Sequence, residues 1–315
     1  MDDTNMSKRI LSAENLEQHF LKHDNSKNFM LLSEVPKLCF NEPCLLGVDE
    51  AGRGPVLGPM VYGICYCPLS KAENIKALGC ADSKSLTEEK RELVFEKLCK
   101  ETEYVGWAVE AIAPNSICNS MLRRQKHSLN QVAQDSTVGL ITKAKDSGIN
   151  ISEVYIDTVG IPEKYQEKLS EIFPEIKITV SKKADAIYPI VSAASICAKV
   201  SRDRALKVWT FQEGLQAIAR DFGSGYPNDP VTKAFLMKGI DPVFGYPRLV
   251  RFSWSTAGKI LQDHAALVEW EDEEESGANR STTITSFFKQ VNSNKRHKTK
   301  HEFFTERNLA VLESL

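Results

Sequence analysis

The sequence has no apolar run long enough to cross a bilayer, and the mixed polar stretch 1–20 has neither the basic start nor the apolar block of a secretory signal. Both absences point to an intracellular protein. Its eight cysteines form no CxxC pair, and Cys65, Cys67 and Cys197 sit inside apolar stretches. That pattern reads as reduced core thiols and argues against a disulfide or zinc framework. The six histidines (His19, His23, His127, His264, His297, His301) are scattered without zinc-site spacing. No Walker-type phosphate loop and no second nucleotide-binding half is visible, which tells against a phosphotransferase or ATPase that gathers acids at a sheet edge. No internal repeat is evident. Charge of one sign is scarce too. The net charge is −2, but six acids crowd positions 269–275, and taking them out leaves +4. A mildly basic body of this kind would not by itself announce a nucleic-acid partner.

What is present is ordinary globular composition, 42% hydrophobic and 26% charged over 315 residues, enough for one large domain with tails. Residues 1–40 carry few apolar clusters and read as a flexible leader. Leu45 to Val48 and Met60 to Tyr66 are β-rich runs separated by a glycine and proline cluster, hence strand, irregular turn, strand. Ser85 with Glu88 has capping-box spacing and predicts a helix to Lys100, its apolar stripe being Leu93, Val94 and Leu98. A strand follows at Tyr104 to Ile112 and a helix from about Ser128 to Ser147. Val154 to Asp157 and Ile176 to Ser181 read as strands around a helical Glu163 to Ile172, and Pro189 opens a long helix. The alternation predicts an α/β fold with a mixed central sheet flanked by helices, residues 41–187, continued by a helical C-terminal region, 188–268. Residues 269–300 have linker composition, and 301–315 regain the apolar residues of a short amphipathic docking segment.

The chemistry concentrates at Gly47-Val48-Asp49-Glu50-Ala51-Gly52-Arg53-Gly54-Pro55-Val56-Leu57-Gly58-Pro59. Adjacent acids leave a buried strand and enter a loop with three glycines and two prolines in its eight residues 52–59. A random Asp-Glu pair at a strand end is ordinarily two solvated acids. Here the loop shifts the reading, because glycines at such density make sense where backbone must approach a ligand closely. Asp157 closes the run Val154-Tyr155-Ile156, and Asp185 lies between a strand and the Pro189 helix. Each alone is an ordinary cap or turn residue. Four carboxylates at one sheet edge would repel unless cations neutralised them, and hard oxygen ligands suit Mg²⁺ or Mn²⁺.

With these residues in place the sequence resembles the type 2 ribonucleases H (the ribonuclease HII family), in the form of the eukaryotic catalytic A subunit. The resemblance runs from about Leu45 to Leu261. It is carried by the DEAGRGPVLGP loop, Ala81-Asp82-Ser83-Lys84, Ile156-Asp157, Lys183-Ala184-Asp185, the Ser192 to Arg204 segment, and Gly223-Ser224-Gly225-Tyr226-Pro227. It implies an RNase H-like fold and an endonuclease that cuts the RNA strand of RNA/DNA hybrids and DNA with embedded ribonucleotides. Asp49, Glu50, Asp157 and Asp185 would hold two divalent ions, and the products would be a 5′-phosphate and a 3′-hydroxyl. Gly52, Arg53 and Gly54 would read a 2′-hydroxyl, and Tyr226 would stack on the sugar at an RNA-to-DNA junction. A non-catalytic hybrid-binding protein is the rival reading, and the presence of all four acids argues against it.

Phosphate contacts are expected from Lys84, Lys183, Lys199 and Arg202, with Thr256 near substrate, while Arg204 and Lys207 read as a solvated face. The resemblance further implies roles in primer removal and ribonucleotide excision repair, a nuclear location, and a heterotrimer with non-catalytic subunits B and C contacted by the tail. Ile284, Phe287 and Phe288 resemble the hydrophobic end of a sliding-clamp-binding motif, with Ser281 where that motif has glutamine. The run 295–300 reads equally as a nuclear-import patch or a solvated basic stretch.

Overall fold

The computed structural model describes residues 10–80, 86–125, 127–158, 160–214 and 221–266. The chain opens with α1 (Ala13–Lys22), β1 (Phe29–Leu32), the single turn α2 (Leu38–Asn41), β2 (Cys44–Ala51) and β3 (Met60–Pro68). Then come α3 (Ala72–Ala77), α4 (Glu88–Lys100), β4 (Gly106–Ile112), α5 (Pro114–Leu122) and α6 (Leu129–Asp146). The second half holds β5 (Ile151–Asp157), α7 (Pro162–Ile172), β6 (Lys177–Ser181), α8 (Ala184–Ile187), α9 (Pro189–Lys207), α10 (Pro230–Lys238) and α11 (Ser255–His264). The strands make one mixed sheet in the order β1-β4-β3-β2-β5-β6. β2, β5 and β6 run parallel, and β3, β4 and β1 continue antiparallel from β2.

The sheet separates two apolar interiors, one packed with α9, α4 and α1 and the other with α6 and α7. β3 is buried along its whole length, which is why its run Val61 to Cys67 is almost continuously apolar. α9 lies across β2 and β3 at very short range, and two strand glycines make this possible. A Cβ at Gly47 would stand 2.4 Å from the Ile190 carbonyl oxygen, and one at Gly63 would stand 2.6 Å from that of Ala194. The helix answers with small residues, Ser192 to Ser195 and Ala198, all buried.

Two sequence expectations change here. Residues 13–32 are no flexible leader: Ser12 caps α1, Leu16 is fully buried, and β1 pairs with β4 at the sheet edge. The segment escaped notice because α1 gives the interior only Ala13 and Leu16, while its charges bind sideways. Arg204, expected on a solvated face, is 6% exposed and joins Glu17 of α1 and Glu92 of α4, the latter at 2.6 Å. Lys207 adds a 2.9 Å bond to Glu17. α9 opens the helical C-terminal part of the domain and lies across the sheet as its central helix; α10 and α11 follow and cover a third small core of Val56, Leu57, Phe235, Leu249 and Val250. α4 is capped by Thr87, which accepts from the Lys90 amide, and it buries Phe95 with Val94 and Leu98 while Leu93 is exposed. All eight cysteines are buried free thiols.

Leu16→Ala should lower unfolding free energy by about 2 to 5 kcal/mol, as core truncations do, where an unpacked leader would show no change in denaturant midpoint. Gly47→Ala, which must push α9 off the sheet, should cost about 1 to 3 kcal/mol in the same assay.

Candidate active site

Asp49 and Glu50 leave β2 on opposite faces, as neighbours on a strand must. Asp49 faces α9 and is 5% exposed. Its carboxylate accepts from the Ser195 hydroxyl of that helix and from the Glu50 amide at 2.8 Å. Glu50 faces the α6 and α7 side, where it borders a cavity of about 450 Å³ together with Asp157 at the end of β5. Burial, reinforced by the negative charges of Glu50 and Asp157, holds the Asp49 carboxyl well above the usual carboxylate range. Asp157 in turn accepts the Ala184 amide at 2.9 Å, the residue before Asp185. Asp185 is 1% exposed in α8. The turn that brings it there passes through Lys183 at φ 57°, the one left-handed non-glycine residue among those described. Such backbone costs about 1 kcal/mol or more and is kept where the surroundings demand it. Asp49, Glu50 and Asp157 therefore meet at the carboxyl ends of the parallel strands β2 and β5, where open α/β sheets bind ligands, and Asp185 comes directly after the amide that Asp157 accepts. Among the described residues no three acid, histidine or cysteine side chains are grouped so as to hold one metal ion; Glu50 and Asp157 border the cavity, and Asp49 and Asp185 are not in its lining.

The glycine loop is fastened from below. Arg251 is fully buried and donates through Nη2 to the Gly52 carbonyl at 2.7 Å, through Nη1 to that of Arg53 at 3.2 Å and through Nε to that of Gly58 at 2.8 Å. Trp254, whose ring lies 5.0 Å from that guanidinium, donates Nε1 to the Gly54 carbonyl at 3.1 Å. Arg202 holds the Leu57 and Pro59 carbonyls, each at 3.3 Å. In a trans peptide the N–H points opposite to the C=O. With the Gly52 and Arg53 oxygens turned inward to Arg251, the amides of Arg53 and Gly54 are turned to the other side. Gly52 itself has φ +78°, and any side chain there would collide with Arg202.

Tyr226 stands over this loop, 53% exposed, its ring 3.3 Å from where a Gly54 Cβ would be. Its own turn is pinned by Asp229, which accepts the Ser224 amide at 2.7 Å and hydroxyl at 2.6 Å, and by the Gly225 carbonyl, which accepts from Val56. Those hydrogen bonds hold the Asp229 carboxyl down at about 2.

Of the expected substrate contacts, Lys183 is exposed at the turn before Asp185, Lys199 is half-buried on α9, and Thr256 is half-buried in the first turn of α11. Arg202 is corrected: it is 8% exposed and braces the loop from within, so its guanidinium is spent on carbonyls. Lys84 lies outside the described residues, as do Ile284, Phe287, Phe288 and the tail. Sequence reasoning passed over Ser195, Arg251 and Trp254. Arg251 left one signal, a lone charge directly after the buried pair Leu249 and Val250.

This mixed sheet with its flanking helices, and acids at the carboxyl ends of its parallel strands beside a braced glycine loop, belong to the class of RNase H-like nucleases. The sequence pattern of ribonuclease HII matches residues 46–257, two thirds of the chain, and the chain belongs to the ribonuclease HII family. It is similar to the A subunit of mouse ribonuclease H2, 53% identical over 296 residues that cover 94% of this chain and 98% of the relative. Among solved structures it is similar to ribonuclease H2 of Pyrococcus horikoshii, with TM-score 0.58 and 34% identity over 70% of this chain and 98% of that one. A second is the complex of PCNA with ribonuclease HII from Archaeoglobus fulgidus, with TM-score 0.56 and 30% identity over 69% of this chain and 96% of that one. The chain is thus a ribonuclease H.

Arg251→Lys keeps a cation but loses the three-way fork. Hydrolysis of a hybrid should fall on the order of a hundredfold, the cost of a catalytic element displaced by about an ångström. An unchanged rate would free the loop from dependence on this residue.

Proposed function

We propose that the enzyme hydrolyses the RNA strand of RNA/DNA hybrids and cuts on the 5′ side of ribonucleotides embedded in duplex DNA, leaving 5′-phosphate and 3′-hydroxyl ends. One observation carries the reading: three carboxylates at the ends of β2 and β5, with Asp185 in α8 next in line, accompany a loop whose Arg53 and Gly54 amides are turned away from the buried Arg251.

The chemistry of these acids, hard oxygen donors set near one another, suits two Mg²⁺ or Mn²⁺ ions. Asp49 is nearly out of water, its charge opposed by Glu50 and Asp157, and hard cations relieve that repulsion. Asp49, Glu50, Asp157 and Asp185 would hold them, and when bound the ions supply an activated water and offset charge growing on the phosphate. The chain's own groups do the rest. Ser195 holds Asp49 in one orientation, and the Ala184 amide does the same for Asp157. The Arg53 and Gly54 amides are set to bond a ribose 2′-hydroxyl, which DNA lacks, at no cost of reorganisation during the reaction. That hydroxyl is then engaged as a ligand, which leaves water as the nucleophile. Tyr226, exposed beside Gly54, is in reach of the neighbouring sugar and supports recognition of a single RNA-to-DNA junction. Lys183, Lys199 and Thr256 would add contacts to the backbone.

The relatives are named as one lettered member of ribonuclease H2, which supports an assembly with further chains. We assign these to non-catalytic subunits B and C docked on 301–315. The archaeal relative solved with PCNA supports a clamp contact through Ile284, Phe287 and Phe288. Nuclear work in primer removal and ribonucleotide excision fits these partners.

A duplex carrying one ribonucleotide, incubated in Mg²⁺ with wild type and Asp185→Ala, tests the ligand set: product should fall more than about a hundredfold, beyond the loss typical of a residue that merely orients a ligand. Chelation of the metal should abolish cutting by the wild type. Equal product from both proteins would refute the assignment. Deleting 301–315 should release subunits B and C on co-purification, and their retention would move the docking site elsewhere.

A further inference from the structure

The cavity that Glu50 and Asp157 border is also lined by residues of α6 and α7 that the reaction outlined above leaves unused. α7 sorts its charges by position. Lys164 and Lys168, one turn apart, border the cavity, whereas Glu163, Glu167 and Glu171 do not. α6 supplies two side-chain amides, also one turn apart. Asn130 accepts a hydrogen bond from Arg53, and Gln134 accepts one from Lys168 Nζ at 2.8 Å. A neutral amide fixes a cation in place without cancelling its charge. Other lysines nearby are answered by acids: Lys145 pairs with Glu175, and Lys177 with Glu153 at 3.2 Å. Among the described residues no carboxylate pairs with Arg53, Lys164 or Lys168, so three positive charges face the same space as the acids. Such an arrangement calls for an anion extending from the acids toward α7.

We propose that Lys164 and Lys168 form a phosphodiester-binding subsite that grips backbone phosphates flanking the scissile bond. The subsite rests on the hydrolysis of hybrids proposed above. The strand being cut is the favoured source of those phosphates, because one continuous cavity joins Glu50 and Asp157 to both lysines, and the next phosphates along that strand enter it with the reacting one. The complementary strand offers the same chemistry. The lysines line the same cavity from a different element than the acids, so their contribution is to binding and to register rather than to the chemical step.

The test uses the full-length protein assembled with its partners, a duplex with one ribonucleotide as substrate, and Mg²⁺. For Lys164→Gln/Lys168→Gln, KM should rise about tenfold with kcat within about twofold, and the slope of log KM against log salt should shrink by about one per lysine. Lys164 and Lys168 are exposed and α7 is anchored by buried Leu169, so the variant should fold. Lys177→Gln, which removes a cation already paired with Glu153, should leave KM and slope unchanged. Neutral methylphosphonates flanking the scissile bond should weaken wild type to the level of the double variant and weaken that variant no further. If only methylphosphonates in the complementary strand behave this way, assignment to the cut strand is overturned. Unchanged KM and slope in the double variant, or an equal effect from Lys177→Gln, overturns the subsite alone. A wild type that binds the duplex but does not cut it overturns the proposed function and the subsite with it.

Discussion

The shape of the glycine loop depends on one guanidinium sealed from water. Arg251 has no carboxylate partner among its hydrogen bonds; it is neutralised piecemeal by the carbonyl dipoles of Gly52, Arg53 and Gly58, with the Trp254 ring alongside. A buried cation is expensive, and desolvation together with nearby Arg202 lowers its pKa to about 9. That cost is tolerated because the planar fork sets three separated oxygens in one orientation, which a flexible ammonium cannot do. The glycines and prolines of the loop let its backbone follow the arginine. The arginine then gives so flexible a sequence a single shape.

A second constraint governs the acids. Asp49 is held by the Glu50 amide and by Ser195, and Ser195 stays within reach only while α9 lies directly on β2 and β3. Gly47 and Gly63 permit that approach, and the Ser and Ala residues of α9 complete it. Small residues, which add little to a hydrophobic core, thus set the distance between a helix and a carboxylate.

The sequence made the acids legible because Asp49, Glu50 and Asp157 each end an apolar strand, where a charge stands out. The sheet and its main helices were legible through period and punctuation. Other features were hidden for physical reasons. α1 buries only one side of a short helix and is fastened by Glu17 to Arg204, far along the chain, so no local pattern marks it. Arg202 read as a phosphate ligand because helical spacing aligns it with Lys199; spacing along a helix cannot reveal that its outer end passes under a loop. Arg251 lies some two hundred residues from the carbonyls it organises, a relation that no window of sequence contains. Lys164 and Lys168 resemble any solvated helix face until the cavity opposite them is seen.

Because Asp49 and Glu50 leave one strand in opposite directions, β2 is the seam between the two interiors of the protein. A mutation that loosens either interior disturbs a different one of these two acids. Inherited or engineered damage deep in the helices should therefore surface as a defect in turnover as readily as in folding, and two lesions on opposite sides of the sheet should compound each other although their side chains never meet.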